Sequence, residues 1–126
     1  MRLLLDTHVY LWVRADSDRL PLRFREAIAD PRNMKFISSL STAEIAVKRA
    51  VGKLDFDGPM HRPLVELGFD ELSFSHEHAR VLDSLPLKHR DPFDRMLIAQ
   101  AIAEGLTLVT VDAKFSQYDV SLLPSV

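Results

Sequence analysis

The sequence predicts an α/β fold in three layers, a parallel sheet covered by helices on both faces. Short apolar runs alternate with helical patterns along the whole chain, which is the signature of strands joined by helical crossovers. The two strongest runs, Arg2–Leu5 and Leu106–Val111, are nearly continuous in apolar and β-branched residues, as strands covered on both sides must be. The 126 residues hold no repeat, low-complexity tract or linker, so residues 1–126 read as one domain.

Taken in order, Arg2 to Leu5 is the first strand, and a helix from His8 to Ala15 follows it at once. Pro21 to Ala29 is a second helix, opening on a proline tolerated in a first turn. Lys35 to Ser38 is a weaker strand. Ser41 to Val51 is helical and stops at Gly52, a residue suited to a helix C-terminus. His61 to Leu67 and Ser75 to Leu85 are helices flanking the Phe69–Phe74 region. Pro92 to Glu104 is the clearest helix, closed by Gly105, and Leu106 to Val111 is the strand after it. Val120 to Leu123 is a further strand candidate.

Composition narrows the function classes. The chain has no cysteine, which excludes disulfides and thiolate metal sites and suits a reducing compartment. Asp6 interrupts the N-terminal apolar run too early for a signal peptide, and no stretch approaches the ~20 apolar residues of a membrane helix. The expectation is a cytoplasmic protein with no membrane partner. A formal charge of −2, from 18 acids and 16 bases, argues against a generic basic nucleic-acid coat. It leaves room for a nuclease, because a metal cluster needs several acids that a bound cation neutralises.

Four acids stand where βα units gather their ligands. Asp6 follows the first strand and Asp112 the strongest one, and in open α/β sheets ligands collect beyond the carboxyl ends of strands. Each also reads as a helix cap. Ser41-Thr42-Ala43-Glu44 reads as a capping box, with Glu44 reaching back to the Ser41 amide, yet Glu44 borders the apolar stripe and Lys48 lies one turn on. In His89-Arg90-Asp91-Pro92-Phe93-Asp94-Arg95, Asp91 is placed as the N-cap before a proline, with a supporting role beside the site. Asp94 falls in the first turn, angled between Leu97, Ile98 and Ala101. A carboxylate in that position needs compensation, and a divalent cation is the simplest source. Hard oxygen clusters of this kind suit Mg²⁺ or Mn²⁺. The chemistry implied is phosphoryl hydrolysis.

These motifs occur together and in order: Asp6-Thr7-His8-Val9-Tyr10-Leu11-Trp12, Glu44-Ile45 with Lys48 and Gly52-Lys53-Leu54, His89 to Ala101, and Thr110-x-Asp112-x-x-Phe115. Across nearly the full chain the sequence resembles PIN-domain ribonucleases, specifically the VapC-type toxins of type II toxin–antitoxin systems. The resemblance implies a PIN-like α/β/α fold with a central, mainly parallel sheet of four to five strands. It implies an Mg²⁺- or Mn²⁺-dependent endoribonuclease with one or two ions per site, acting on RNA, held inactive by a cognate antitoxin, and commonly a homodimer. The family's catalytic, metal-holding acids fall on Asp6, Glu44, Asp94 and Asp112, and Thr7 and Thr110 match positions that support the metal site. Ala43 departs from the pattern, since many relatives carry a tryptophan there.

The expected mechanism has Asp6, Asp94 and Asp112 holding the ion or ions and Glu44 orienting or deprotonating the attacking water. Lys48, Arg95 and Lys114 are the candidate phosphate contacts among the basic residues near the motifs. His8 and His89 read as hydrogen-bonding support for the acids, and His76 and His78 as a solvated helix start. Leu11, Trp12 and Val13 with the Leu20–Ile28 helix offer an apolar patch for a dimer mate or antitoxin, unless they pack the core. Two other classes compete. A phosphatase or phospho-acceptor domain also places an Asp after its first strand, but the haloacid-dehalogenase type wants a second Asp where His8 stands. A catalytically inert binding module would use the acids as caps alone.

Overall fold

The computed structural model describes residues 1–126. Four strands, β1 (Arg2–Leu5), β2 (Met34–Ser38), β3 (Asp70–Leu72) and β4 (Thr107–Val109), form one sheet in the order β3-β2-β1-β4, with every pair parallel. Six helices accompany it: α1 (Thr7–Ala15), α2 (Leu22–Ala29), α3 (Ser39–Ala50), α4 (Arg62–Glu66), α5 (His76–Ser84) and α6 (Pro92–Glu104). A 3-10 turn spans Ala113–Gln117. No helix is long and apolar enough to cross a membrane.

The strand pleat divides the core in two, because successive side chains point to opposite faces. Leu3 and Leu5, with Ile37 and Val109, pack against Val9 and Tyr10 of α1, Phe24 and Ile28 of α2, and Leu64 of α4. Leu4 and Leu108 face the other way, against Leu97, Ile98 and Ala101 of α6 and against Phe115 and Tyr118. The expected three layers result, with the inner strand β1 fully buried from Leu3 to Leu5. Leu11, Trp12 and Val13 are half-buried against the first core, while Leu22 on α2 is exposed.

Several boundaries differ from the sequence expectation, each for a local reason. β4 stops at Val109, because β1 ends at Leu5 and the Asp6 amide makes the last ladder bond, to the Val109 carbonyl at 3.1 Å. Thr110 Oγ1 then accepts from the Asp112 amide at 3.1 Å and turns the chain. Residues Val120 to Leu123 give a single parallel bridge, Leu108 to Leu122, along the edge of β4. Pro21 is the N-cap of α2 and precedes its first turn. The cap of α3 is Ser38, whose hydroxyl accepts from the Leu40 amide, and Ser41 lies inside the helix. The expected capping box at Ser41 and Glu44 is therefore absent, because β2 runs directly into α3. His78 is buried, not solvated. Its Nδ1 accepts from the Ser75 amide at 3.0 Å, which puts the ring proton on Nε2, 2.8 Å from Glu104 Oε1.

His78 belongs to a polar chain that fixes α3, α5 and α6 to one another. Gln100 lies 3.4 Å from His78 Nδ1 through Nε2 and accepts from the Ser38 hydroxyl at 2.6 Å. Ser38→Ala removes the α3 cap and the donor to buried Gln100 together, and is expected to destabilise the fold by about 2–3 kcal/mol. Urea unfolding of this variant beside Ser41→Ala checks the assignment, since the sequence reading would have made Ser41 the more damaging site.

Candidate active site

Parallel strands bring all their carboxyl ends to one edge, and helices running back over the sheet start at that edge. α1 and α3 leave directly from the ends of β1 and β2, and α6 returns the chain to the start of β4. Their N-termini therefore converge. Between them is a crevice of about 200 Å³, lined by Asp6, Glu44, Asp91, Asp94 and Asp112, with Lys48 and Lys114 beside them. Thr7, His8, His89 and Phe115 complete its wall.

Three of the carboxylates are fixed by helix or turn starts. Asp6 Oδ1 accepts from the Val9 amide at 2.8 Å, Asp91 Oδ1 from the Asp94 amide at 3.0 Å, and Asp112 Oδ1 from the Lys114 amide at 2.9 Å. Capping and a role in the crevice are thus compatible, since a carboxylate has about four acceptor positions and a cap uses one. Glu44 is held differently. Thr7 Oγ1 lies 2.7 Å from its Oε1 and 3.0 Å from Ser41 Oγ. With its single proton given to the carboxylate, Thr7 accepts from Ser41. Glu44 Oε2 meets Lys48 Nζ at 2.8 Å, one helical turn on.

The crevice is electrostatically loaded. Asp6 is 4% exposed, and burial pushes its carboxyl up to about 6 against the Thr110 hydroxyl, the Val9 amide and His8, with Asp94 adding to the rise. Burial also raises Asp94, opposed by its hydrogen bond to His89 and helped by the charges of Asp91 and Glu44. The bond to Glu44 holds Lys48 above the usual ammonium range. A fold that buries acids until two resist ionisation has donors waiting for a cation, and carboxylate oxygens are what a hard divalent ion takes. A ring nitrogen of His89 and carboxylate oxygens of Asp94 and Asp112 lie within 4.8 Å of one another. The residues fit such an ion.

Of the residues singled out by sequence, the four acids, Asp91, Thr7, Lys48 and Lys114 all line the crevice, and Thr110 supports it from behind through Asp6 and Asp112. Arg95 does not line it. Its guanidinium donates to the carbonyls of Pro86 and Leu85 and to the Tyr118 hydroxyl. Ser41, a helix cap by sequence pattern, instead lies inside α3 and hydrogen-bonds Thr7 beside Glu44.

Residues 3–121 match the family model described as PIN domain. The chain belongs to the PIN domain family. No curated protein matches this PIN domain significantly in sequence. Among solved structures it is similar to a chain in the crystal structure of VapBC2 from Rickettsia felis bound to a DNA fragment from their promoter. The TM-score is 0.68 at 20% identity, covering 98% of each chain. It is also similar to a chain of a toxin–antitoxin complex from Klebsiella pneumoniae, with a TM-score of 0.64 at 18% identity and 98% of each chain covered. A third likeness is to FitAcB from Neisseria gonorrhoeae, with a TM-score of 0.63 at 22% identity, covering 98% of this chain and 97% of that one. At these identities the likeness is one of fold.

The raised Asp6 has a sign that can be measured on metal-free protein. Its folded value, about 6, lies above the ordinary 3.8, so its contribution to stability is complete below about pH 4 and is lost as pH rises through 6. Asp6→Asn keeps an oxygen for the Val9 amide and removes the charge. In EDTA, the variant should match wild type at pH 4 and exceed it by roughly 2–3 kcal/mol at pH 7.5, by urea unfolding at both pH values. Equal stability at pH 7.5 would mean that the Asp6 charge is already compensated.

Proposed function

We propose that this PIN domain is a metal-dependent endoribonuclease that serves as the toxin of a toxin–antitoxin pair. The observation that carries the nuclease reading is the convergence of Asp6, Glu44, Asp94 and Asp112 on one crevice at the carboxyl edge of a parallel sheet. Family membership supports the same reading. The toxin role and an antitoxin partner are supported by the similar structures, which include VapBC from Rickettsia felis and a toxin–antitoxin complex from Klebsiella pneumoniae. A homodimer is the expected assembly of the chain itself.

Asp6, Asp94 and Asp112 would hold Mg²⁺ or Mn²⁺, one ion or two. Bound there, the ion supplies positive charge against the phosphodiester and eases attack by water at neutral pH. The rest of the work falls to the chain. Glu44 is fixed by Thr7 and Lys48 yet keeps acceptor positions on both oxygens, so it orients the attacking water and takes up its proton. Lys48, beside Glu44, and exposed Lys114, both lining the crevice, bind the flanking phosphates of a single strand. Water as nucleophile leaves a 5′-phosphate and a 3′-hydroxyl.

The test is cleavage of total RNA from the native host by purified, antitoxin-free protein, with and without Mg²⁺ or Mn²⁺. Asp94→Asn should keep the fold, by circular dichroism and Tm, and lose at least ~10²-fold in cleavage rate, the scale on which removing one charge-stabilising group acts. End-labelling should find 5′-phosphates on the products. Equal activity in the two proteins, or cleavage that EDTA leaves intact, would overturn the reading.

A further inference from the structure

We propose that His89 is a nitrogen donor to the cation of this crevice, which makes the centre a mixed nitrogen–oxygen site that favours Mn²⁺ over Mg²⁺. The proposal rests on the metal-dependent reading above and names a ligand that the four acids do not include.

His89 Nε2 and Asp94 Oδ2 share a hydrogen bond of 2.8 Å, so the two donor atoms already stand side by side and a cation that displaces the shared proton would meet both. Asp112 brings a third donor atom into the same cluster, with all three atoms within 4.8 Å of one another. No other group of three or more histidine and carboxylate donors in the chain comes this close together. The imidazole is 14% exposed and so reaches the crevice without being free in water.

The segment that carries His89 lies in no helix or strand, and it is nevertheless pinned. The Tyr118 oxygen accepts from the Lys88 amide at 3.0 Å and from the His89 amide at 2.9 Å. Arg95 Nη1 bonds the same oxygen at 3.1 Å and the Pro86 carbonyl at 2.9 Å, and Nη2 reaches the Leu85 carbonyl at 3.4 Å. A loop from Leu85 to His89 is thus clamped from α6 and from the end of the 3-10 turn. The clamp acts on the backbone of the loop and fixes where the His89 ring enters the crevice, as a preorganised site requires. Arg95 and Tyr118 are positioning residues that act through His89.

An imidazole in an otherwise carboxylate set discriminates between ions. Mg²⁺ takes oxygen and dehydrates reluctantly, whereas Mn²⁺ lies further along the series of increasing affinity for nitrogen.

The experiment is pulsed EPR of the intact, antitoxin-free chain loaded with Mn²⁺, with Mn²⁺ and Mg²⁺ affinities measured by titration calorimetry. Wild type should show electron-spin-echo modulation from a directly bound ¹⁴N. His89→Ala should lose it and bind Mn²⁺ at least ~10-fold more weakly, with Mg²⁺ affinity changed less. His89→Gln separates ligation from positioning, because its amide can still donate to Asp94 while supplying no ring nitrogen. Glutamine behaving as alanine supports ligation, and glutamine restoring Mn²⁺ affinity overturns it in favour of a hydrogen-bonding role. Mn²⁺ bound by wild type without ¹⁴N modulation overturns the proposal and leaves the metal-dependent reading standing. A wild type that binds neither ion overturns both. Tm of each metal-free variant shows that the comparison is between folded proteins.

Discussion

Burial of carboxylates at one edge of the sheet, more than their mutual repulsion, is the constraint around which the molecule is arranged. Parallel topology brings the ends of β1 and β4 and the starts of α1, α3 and α6 together, and with them Asp6, Glu44, Asp91, Asp94 and Asp112. The helix starts soften the repulsion, since their free amides carry partial positive charge. Asp6 and Asp91 each take an amide hydrogen bond at such a start, and Asp112 takes one at the 3-10 turn. That help is insufficient, because burial still raises both Asp6 and Asp94. Stability is being traded for a preorganised charge, a pattern expected at functional sites.

Such a site survives only on a rigid frame. The two cores fix the sheet and its covering helices, but apolar packing alone tolerates small slides of one helix past another. The chain Ser38–Gln100–His78–Glu104 opposes that freedom. It joins the start of α3 directly to the middle of α6 and ties α5 to the middle and end of α6, and every link needs a specific geometry. Buried polar groups left half-satisfied would be costly, so the chain selects one placement of α6 against α3. That placement sets how far Asp94 stands from Glu44.

What was legible in the sequence is what local pattern or topology decides. The apolar runs of β1 and β4 announced themselves, and the proline and glycine bounds of α6 marked it from Pro92 to Glu104. Asp6 and Asp112 were legible because a residue that follows a parallel strand lies at the carboxyl edge, and Asp94 because a helix that leads into such a strand starts there. Features decided by distant partners were not. Ser38, Ser39, Ser41 and Thr42 are all plausible caps, and the choice depends on where β2 stops pairing with β1 and β3. His78 looked solvated because Gln100 and Glu104, which bury and bond it, lie more than 20 residues away. Arg95 looked like a phosphate contact beside its motif, and Tyr118, which draws it elsewhere, is 23 residues distant.

The four acids are not equivalent in their surroundings. Glu44 has a permanent counter-charge in Lys48 and a neutral donor in Thr7, so its own charge is compensated with or without an ion. Neither Asp6 nor Asp94 has a lysine or arginine in contact; one is held by an amide and a hydroxyl, the other by a histidine that can be neutral. Asp112 has only the Lys114 amide, at the half-exposed rim. A cation entering the crevice therefore gains most from the three aspartates and least from Glu44, whose attraction is already answered. The same asymmetry supports the proposed division of labour, with the three aspartates toward a cation and Glu44 toward the attacking water.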